Sequence, residues 1–168
     1  TPDPDLELLK KTVRQFIAGE IEPTVGDCER ERRFPREIIQ KMGTAGLFGA
    51  AFPRSFGGSA LGFQAVAVIS EELSRTRPEF GYAMNMQAMT CPFTIYNWGS
   101  AAQAERFVPD LIAGRRLGMF ALTEVGGGSD PAGAMQTRAV REGDNYRLNG
   151  SKMWITMADV CDAGVIFA

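Results

Sequence analysis

The sequence contains no histidine among its 168 residues. This absence excludes Ser-His-Asp and Cys-His catalysis and most catalytic zinc sites, because all of them depend on imidazole. The patterns G-x-x-x-x-G-K-[ST] and G-x-G-x-x-G are missing as well, so P-loop and Rossmann nucleotide sites have no support. Any redox chemistry must therefore come from a bound cofactor.

The sequence also lacks a large excess of one sign of charge, has few cysteines and contains no long apolar run. The net charge of −2 gives no electrostatic reason to expect nucleic acid. No apolar run approaches the length of a membrane span, and the first five residues do not resemble a signal peptide. The cysteines, Cys28, Cys91 and Cys161, are odd in number and far apart, which indicates reduced thiols in a cytoplasmic protein and no metal site.

Apolar residues at helical spacing predict helices over the first hundred or so residues. Val13, Phe16 and Ile17 follow Asp5, a candidate N-cap, and Pro23 should end or kink this first helix. Residues 28–33 are expected to form a solvated connection. Beyond it, Pro35 suits the first turn of a second helix. The buried stripe of that helix is expected at Ile38, Ile39 and Met42, with glycines 43 and 46 ending it.

A loop rich in Gly, Pro and Ser is expected at residues 52–62, followed by a helix. The predicted inner face of that helix comprises Phe63, Val66, Ala67, Ser70 and Leu73, with Glu72 outside it. Residues 82–98 are apolar and methionine-rich, which predicts a buried helix interrupted near Pro92. Ser100 and Gln103 form a capping box for one further helix, which runs to about Gly114.

The pattern changes near residue 117. Residues 117–123 suit a strand, and so do residues 146–148 and 152–156, which the Asn149-Gly150 pair should join as a hairpin. A further strand begins near Val165. The expected fold is α+β, with a helical domain over residues 1–116 and the start of an antiparallel β domain over residues 117–168.

Two short segments carry the chemical signal. The first is FALTEVGGGSD at residues 120–130, in which three glycines let the backbone approach a ligand and aim its N–H groups. Alone, such a run is more typical of a simple turn. The second is NGSKMWIT at residues 149–156, where Trp154 alone would be no more than a core aromatic residue.

Together the two segments resemble the acyl-CoA dehydrogenase family of flavoproteins. That family carries a pattern close to (F/Y)-(A/G)-(L/V)-T-E-P-G-A-G-S-D, followed across a hairpin by N-G-x-K-x-(W/F)-I-(T/S). PRSFGG at residues 53–58 extends the match upstream. Val125 replaces the usual proline and Gly127 the usual alanine, so the loop should be less rigid.

The resemblance implies FAD as cofactor. It places Thr123 at the pyrimidine side of the flavin ring, Thr156 near N5 and O4, and Trp154 against the ring. A donor at N5 favours the reduced flavin. The implied cofactor-binding residues are Phe120, Leu122, Thr123, Gly128, Ser129, Trp154, Ile155 and Thr156. Ser129 is also implied to contact the acyl-CoA substrate.

The resemblance assigns no catalytic base to this chain. Glu124 is an obvious acidic candidate, but the matching glutamate is not the base in the family. The family's base lies on a later helical domain, which this chain is expected to lack. Implied partners are an electron-transferring flavoprotein and further copies of the chain, as a homotetramer or homodimer.

The expected function is therefore that of a flavin-dependent acyl-CoA dehydrogenase, in which a carboxylate removes the α-proton and the β-hydride passes to flavin N5. The alternatives are a related oxidase, reductase or flavin monooxygenase on a CoA- or carrier-bound substrate, and a non-catalytic remnant. Glutaryl-CoA dehydrogenases carry an arginine where this chain has Gly81, which disfavours a dicarboxylyl substrate. The methionine-rich helix either fills the core or, by the resemblance, also lines the acyl pocket.

Overall fold

A computed structural model describes residues 3–168 and begins with helix α1 (Pro4–Phe16). The N-cap of this helix is Asp3, whereas the sequence pattern predicted Asp5. The Asp3 carboxylate accepts a hydrogen bond from the Asp5 N–H at 2.9 Å. Pro4 occupies the first helical position, where a missing N–H costs no intrahelical bond. The proline therefore moves the start of the helix upstream of Asp5.

Pro23 does not end the helical run. A π-helical turn (Ile17–Ile21) precedes it, and helix α2 (Glu22–Glu31) continues directly. A proline in the first turn of α2 is tolerated because the preceding wide turn has already broken the regular hydrogen-bond ladder. The prediction of a solvated connection at residues 28–33 is wrong in part, since Cys28 is buried in the helix. The helix ends at Arg32, which adopts a left-handed φ of 52°.

Helix α3 (Arg36–Thr44) buries Ile38, Ile39 and Met42, as their spacing predicts. The loop expected at residues 52–62 is present and contains a single 3₁₀ turn (Arg54–Phe56).

Helix α4 (Phe63–Thr76) differs from its predicted face. Val66 and Leu73 are buried, but Phe63 and Ala67 are exposed, and Glu72 is only 3% exposed. Glu72 points inward because α4 packs on α1, where the Arg14 guanidinium donates to both carboxylate oxygens at 2.6 and 2.8 Å.

The methionine-rich region is one helical run with a π-helical centre. Helix α5 (Pro78–Met84) leads into the π segment (Asn85–Thr90) and then into helix α6 (Cys91–Trp98). The predicted interruption near Pro92 is therefore a widened turn just before it. Met84 and Met86 lie in the core, whereas Tyr82 and Trp98 are exposed.

Helix α7 (Ala101–Ile112) begins with the predicted capping box, which is confirmed. The Ser100 N–H donates to Gln103 Oε1 at 2.8 Å, and the Gln103 N–H donates to Ser100 Oγ at 3.3 Å.

Four strands and one short helix follow: β1 (Gly118–Ala121), α8 (Pro131–Ala134), β2 (Arg138–Glu142), β3 (Asn145–Asn149) and β4 (Ala163–Ile166). β2 and β3 form an antiparallel pair, with Arg138 opposite Asn149. β1 and β4 form a parallel pair, with Gly118 opposite Ala163. A helical part followed by a small antiparallel sheet is confirmed; the parallel pair was not predicted.

The hairpin predicted at Asn149-Gly150 is absent: the chain reverses between β2 and β3 at residues 143–144. Gly143 adopts a φ of 62° and reverses the chain between β2 and β3. At Gly150 the chain leaves β3 so close to the sheet that a Cβ would stand 2.6 Å from the Thr137 Cα. Residues 152–156 form no strand, because the Met153 N–H bonds to Thr123 instead of to β3.

Candidate functional site

The two motif segments lie in contact. The Met153 N–H donates to the Thr123 carbonyl oxygen at 2.9 Å. The Lys152 ammonium donates to the Leu122 carbonyl oxygen at 3.0 Å. Because Leu122 and Thr123 directly follow β1, the end of this strand is fastened to the segment that leads to Trp154.

Glu124 is the most strongly held side chain of the site. Its carboxylate accepts from Lys152 Nζ at 2.8 Å, from the Gln136 N–H at 2.6 Å and from the Thr137 N–H at 3.0 Å. The Thr137 hydroxyl also donates to it. These bonds, above all the one from Lys152, lower the pKa of Glu124 to about 2. A carboxylate so stabilised in its ionised form is a poor general base near neutral pH.

The glycine loop turns tightly between β1 and α8. The Gly127 N–H donates to the Glu124 carbonyl oxygen at 3.2 Å, and the Asp130 carboxylate caps α8 by accepting from the Gly133 N–H at 3.0 Å. A Cβ on Gly127 would collide with the Ala134 side chain. Glycine in place of the family's alanine therefore has a local reason, since α8 packs directly on the loop.

Trp154 is presented to solvent by an unusual backbone. Its φ is 59° and its side chain is 86% exposed. A left-handed conformation at a residue with a large side chain costs on the order of 1–3 kcal/mol and tends to occur at functional sites. Thr156 is exposed beside it, and Ile155 is half-buried. The segment thus offers an indole face and a hydroxyl to a ligand.

The remaining predicted residues differ in their surroundings. Phe120 packs edge-on against Phe167, with ring centroids 4.9 Å apart, a contact that sequence reasoning missed. Gly128 lies next to Thr123, whose Cγ2 would be 3.8 Å from a Cβ at that glycine. Ser129 is exposed and Thr123 is half-buried.

The hydroxyl and aromatic groups of these residues are of the types that bind a flavin ring. An isoalloxazine ring needs hydrogen-bond donors along its N1, O2, O4 and N5 edge and an apolar wall against its face. Thr123, Ser129 and Thr156 are accessible hydroxyls, and Trp154 is an accessible aromatic ring. None of the eight predicted residues lines either the cavity beside Glu124 or the groove between α6, α7 and β4.

Two cavities are lined by other residues of the chain. One, of about 390 Å³, is lined by residues 124–126, Gln136 and residues 149–151. The other, of about 440 Å³, is an open groove between α6, α7 and β4, with Trp98 and Phe107 in its wall.

Two negative findings hold for the part of the chain that the structure describes. Within residues 3–168 no group of three or more cysteine, aspartate or glutamate side chains could hold a metal ion. Over the same residues no helix combines the length and apolar character needed to cross a membrane.

Comparison with known proteins identifies the class of this fold and site. The model of the acyl-CoA dehydrogenase N-terminal domain matches residues 3–115, and that of the acyl-CoA dehydrogenase middle domain matches residues 119–168. The chain therefore belongs to the acyl-CoA dehydrogenase family.

Individual relatives agree with this assignment. The chain is 36% identical to the short-chain specific acyl-CoA dehydrogenase of Clostridium acetobutylicum over 96% of its own length and 42% of the relative's. It is 38% identical to the 3-(aryl)acrylate reductase of Clostridium sporogenes, over 96% of its own length and 43% of the relative's. A glutaryl-CoA dehydrogenase of Mycobacterium smegmatis, solved in complex with FADH2, superposes with a TM-score of 0.92 at 33% identity, over 99% of this chain and 43% of that one. The chain thus spans less than half the length of these relatives.

Proposed function

We propose that the complete protein is an FAD-dependent acyl-CoA dehydrogenase. The observation that carries the proposal is the contact between the two motif segments, made by the Met153 N–H and the Lys152 ammonium. This contact gathers the donors and the aromatic ring that a flavin requires on two adjacent stretches of chain. The family membership supports it independently.

The proposed cofactor-binding residues are those that the sequence motifs name. Thr123 and Thr156 would donate hydrogen bonds to the ring edge, and Trp154 would pack against the ring. Phe120, Leu122, Gly128, Ser129 and Ile155 would complete this wall, with Ser129 also contacting the acyl-CoA. FAD, when bound, supplies the acceptor for the hydride that leaves the acyl chain.

The α-proton requires a base other than Glu124. That carboxylate is occupied by Lys152 and Thr137, and its low pKa makes it a weak proton acceptor. We therefore place the base outside these 168 residues, as the family pattern implies.

The substrate class follows partly from Gly81. Glycine here offers no guanidinium to pair with a distal carboxylate, and a Cβ at this position would require the Ser74 hydroxyl to move. This favours an acyl-CoA with an apolar acyl chain over a dicarboxylyl thioester.

Further parts of the proposal concern partners and location. We propose transfer of electrons to an electron-transferring flavoprotein, assembly as a homotetramer or homodimer, a role in fatty acid metabolism and a cytoplasmic location. The three cysteines are unpaired, which suits a reducing compartment. Size-exclusion chromatography with light scattering tests the assembly state.

The test of the proposal begins with the absorbance spectrum of the purified complete protein, before and after reconstitution with FAD. A flavin spectrum that bleaches when butyryl-CoA is added without oxygen is expected, and glutaryl-CoA should bleach it far more slowly. Absence of a flavin band after reconstitution contradicts the proposal.

A second candidate is an enzyme that works in the opposite direction. It is favoured by the 38% identity to a 3-(aryl)acrylate reductase. The two are separated by preparing the reduced protein without oxygen and mixing it with an acrylate or its CoA thioester. Rapid reoxidation by the unsaturated compound, with slow bleaching by butyryl-CoA, would support the reductase.

A further inference from the structure

We propose that the ion pair between Glu124 and Lys152 is a positioning clamp, which fixes the spacing between the two segments that contact the flavin. The inference rests on the proposed function, because it assigns the clamp to the flavin site. Neither residue touches the cofactor in this view. Both act through their neighbours, Thr123 on one segment and Trp154 on the other.

The geometry of Lys152 carries the argument. Its ammonium group donates to the Leu122 carbonyl at 3.0 Å and to the Glu124 carboxylate at 2.8 Å. It therefore holds the residues on either side of Thr123. The Met153 N–H, one residue further along, bonds to Thr123 itself at 2.9 Å. Three consecutive residues of one segment are thus fastened by two consecutive residues of the other.

The Glu124 side of the clamp is anchored in the sheet. Its carboxylate also accepts from the Gln136 N–H, the Thr137 N–H and the Thr137 hydroxyl, just ahead of β2. Both carboxylate oxygens are occupied, so the side chain has one defined position. Gly150 packs directly against Thr137, and this contact leaves no room for a Cβ.

Burial distinguishes this pair from most ion pairs of the chain. Glu124 is 8% exposed and the Lys152 side chain 12% exposed. A pair withdrawn from water and satisfied by further hydrogen bonds is rigid, whereas pairs on the surface contribute little. Rigid support is what a ligand site needs, since its contact groups must keep their geometry before the ligand arrives.

The clamp also accounts for the strained position of Trp154. Two residues after Lys152 the backbone adopts a φ of 59° and directs the indole into solvent. Such a conformation persists only when its surroundings hold it. Lys152 and Met153 supply the fixed end from which the chain turns into this conformation.

The experiment compares variants of the complete protein. Lys152→Met removes the ammonium and keeps an apolar side chain. Lys152→Arg restores the charge. The matched control is Arg14→Met, which removes both hydrogen bonds from the guanidinium to another carboxylate, Glu72, which is 3% exposed and lies between α1 and α4. Arg75 stays within 3.7 Å of that carboxylate. Thr137→Val, which removes only the hydroxyl bond to Glu124, is a milder variant for use if Lys152→Met does not fold.

The first measurement needs no cofactor. Hydrogen exchange of the apo-protein should become faster at residues 150–157 and 121–130 in Lys152→Met, and less so in Lys152→Arg. Arg14→Met should leave exchange in these residues unchanged. Unchanged exchange in Lys152→Met, or equal acceleration in Arg14→Met, would overturn the clamp.

The second measurement uses the FAD-loaded protein. Misplacement of contact groups by about 1 Å can cost about 100-fold in rate, so flavin reduction in Lys152→Met should slow by about 10- to 100-fold with KM little changed. The visible flavin spectrum should shift as well, with partial recovery in Lys152→Arg. Normal reduction and spectrum in Lys152→Met would refute the role at the flavin. If the wild type binds no FAD, the proposed function fails, and the hydrogen-exchange result alone decides the clamp.

Discussion

Gln87 offers the sharpest test of how the helical part holds the strands. It lies in the π-helical segment before α6 and is completely buried. Its Nε2 donates to the carbonyl oxygens of Leu111 at 3.1 Å and Arg116 at 2.8 Å, and its Oε1 accepts from the Gly118 N–H at 2.6 Å. One side chain therefore joins the end of α7, the connection after it and the first residue of β1.

The cost of removing this amide can be worked from its partners. In Gln87→Leu the shape is nearly kept, but the Arg116 carbonyl and the Gly118 N–H lose this hydrogen bond. Leu111 is less affected, because its carbonyl also accepts from the Gly114 N–H at 3.0 Å. Each buried group left without a partner costs about 1–3 kcal/mol, so two such groups predict a loss of about 2–6 kcal/mol. For a chain of this size each kcal/mol lowers Tm by about 2–4 °C, so the expected fall is about 4–24 °C.

Urea unfolding of the 168-residue chain, followed by far-ultraviolet circular dichroism, measures the effect. Gln40→Leu is the control, because Gln40 is exposed on α3 and should change the free energy of unfolding by less than about 0.5 kcal/mol. If Gln87→Leu costs less than about 1 kcal/mol, the reasoning that this amide satisfies buried backbone groups is refuted.

Three further predictions concern the site. Thr156→Val should leave FAD bound but slow the reductive half-reaction about tenfold or more, because a donor to developing charge is lost; an unchanged stopped-flow rate would contradict it. The folded-state pKa of Glu124 is lowered to about 2, so its stabilising contribution should be complete above the unfolded value of 4.5 and lost as the pH falls from there towards 2. The gap in Tm between wild type and Glu124→Gln should accordingly narrow below about pH 4.5, and a constant gap down to pH 2.5 would contradict it. The 168-residue chain alone should bind FAD weakly and show no dehydrogenase activity; submicromolar binding in a fluorescence titration would mean that the site is complete within it.

Local sequence signals predicted the helices well where the structure depends on local interactions. The stripe of Ile38, Ile39 and Met42 is buried because residues three and four apart share a helix face. The Ser100–Gln103 capping box formed because both of its bonds lie within four consecutive residues. In each case the physical cause is contained in a few residues of sequence.

The predictions that were wrong or missing concern contacts between residues that are far apart in the sequence. Glu72 was predicted to face water, but it is buried where α4 packs on α1 and pairs there with Arg14, 58 positions away in sequence. Nothing in the sequence indicated that Gln87 is buried, because its three partners lie in another helix, in the connection after it and in a strand, which spacing alone does not place beside it. The parallel pairing of β1 with β4 likewise depends on chain brought back after more than forty residues.

At the candidate site, a local sequence signal and a contact between distant residues point to different structures for residues 149–156. Residues 152–156 were expected to form the second strand of a hairpin, since Asn149-Gly150 is a strong turn signal. The chain instead uses Gly150 for close approach to Thr137 and then bonds to Thr123, so the pairing partner of this segment is the end of β1 and not β3. That exchange of partners frees Trp154 from a strand and allows it to adopt its left-handed backbone conformation. The local structure predicted for residues 152–156 was therefore wrong, because the conformation of this segment depends on its contact with Thr123, which lies about thirty residues earlier in the sequence.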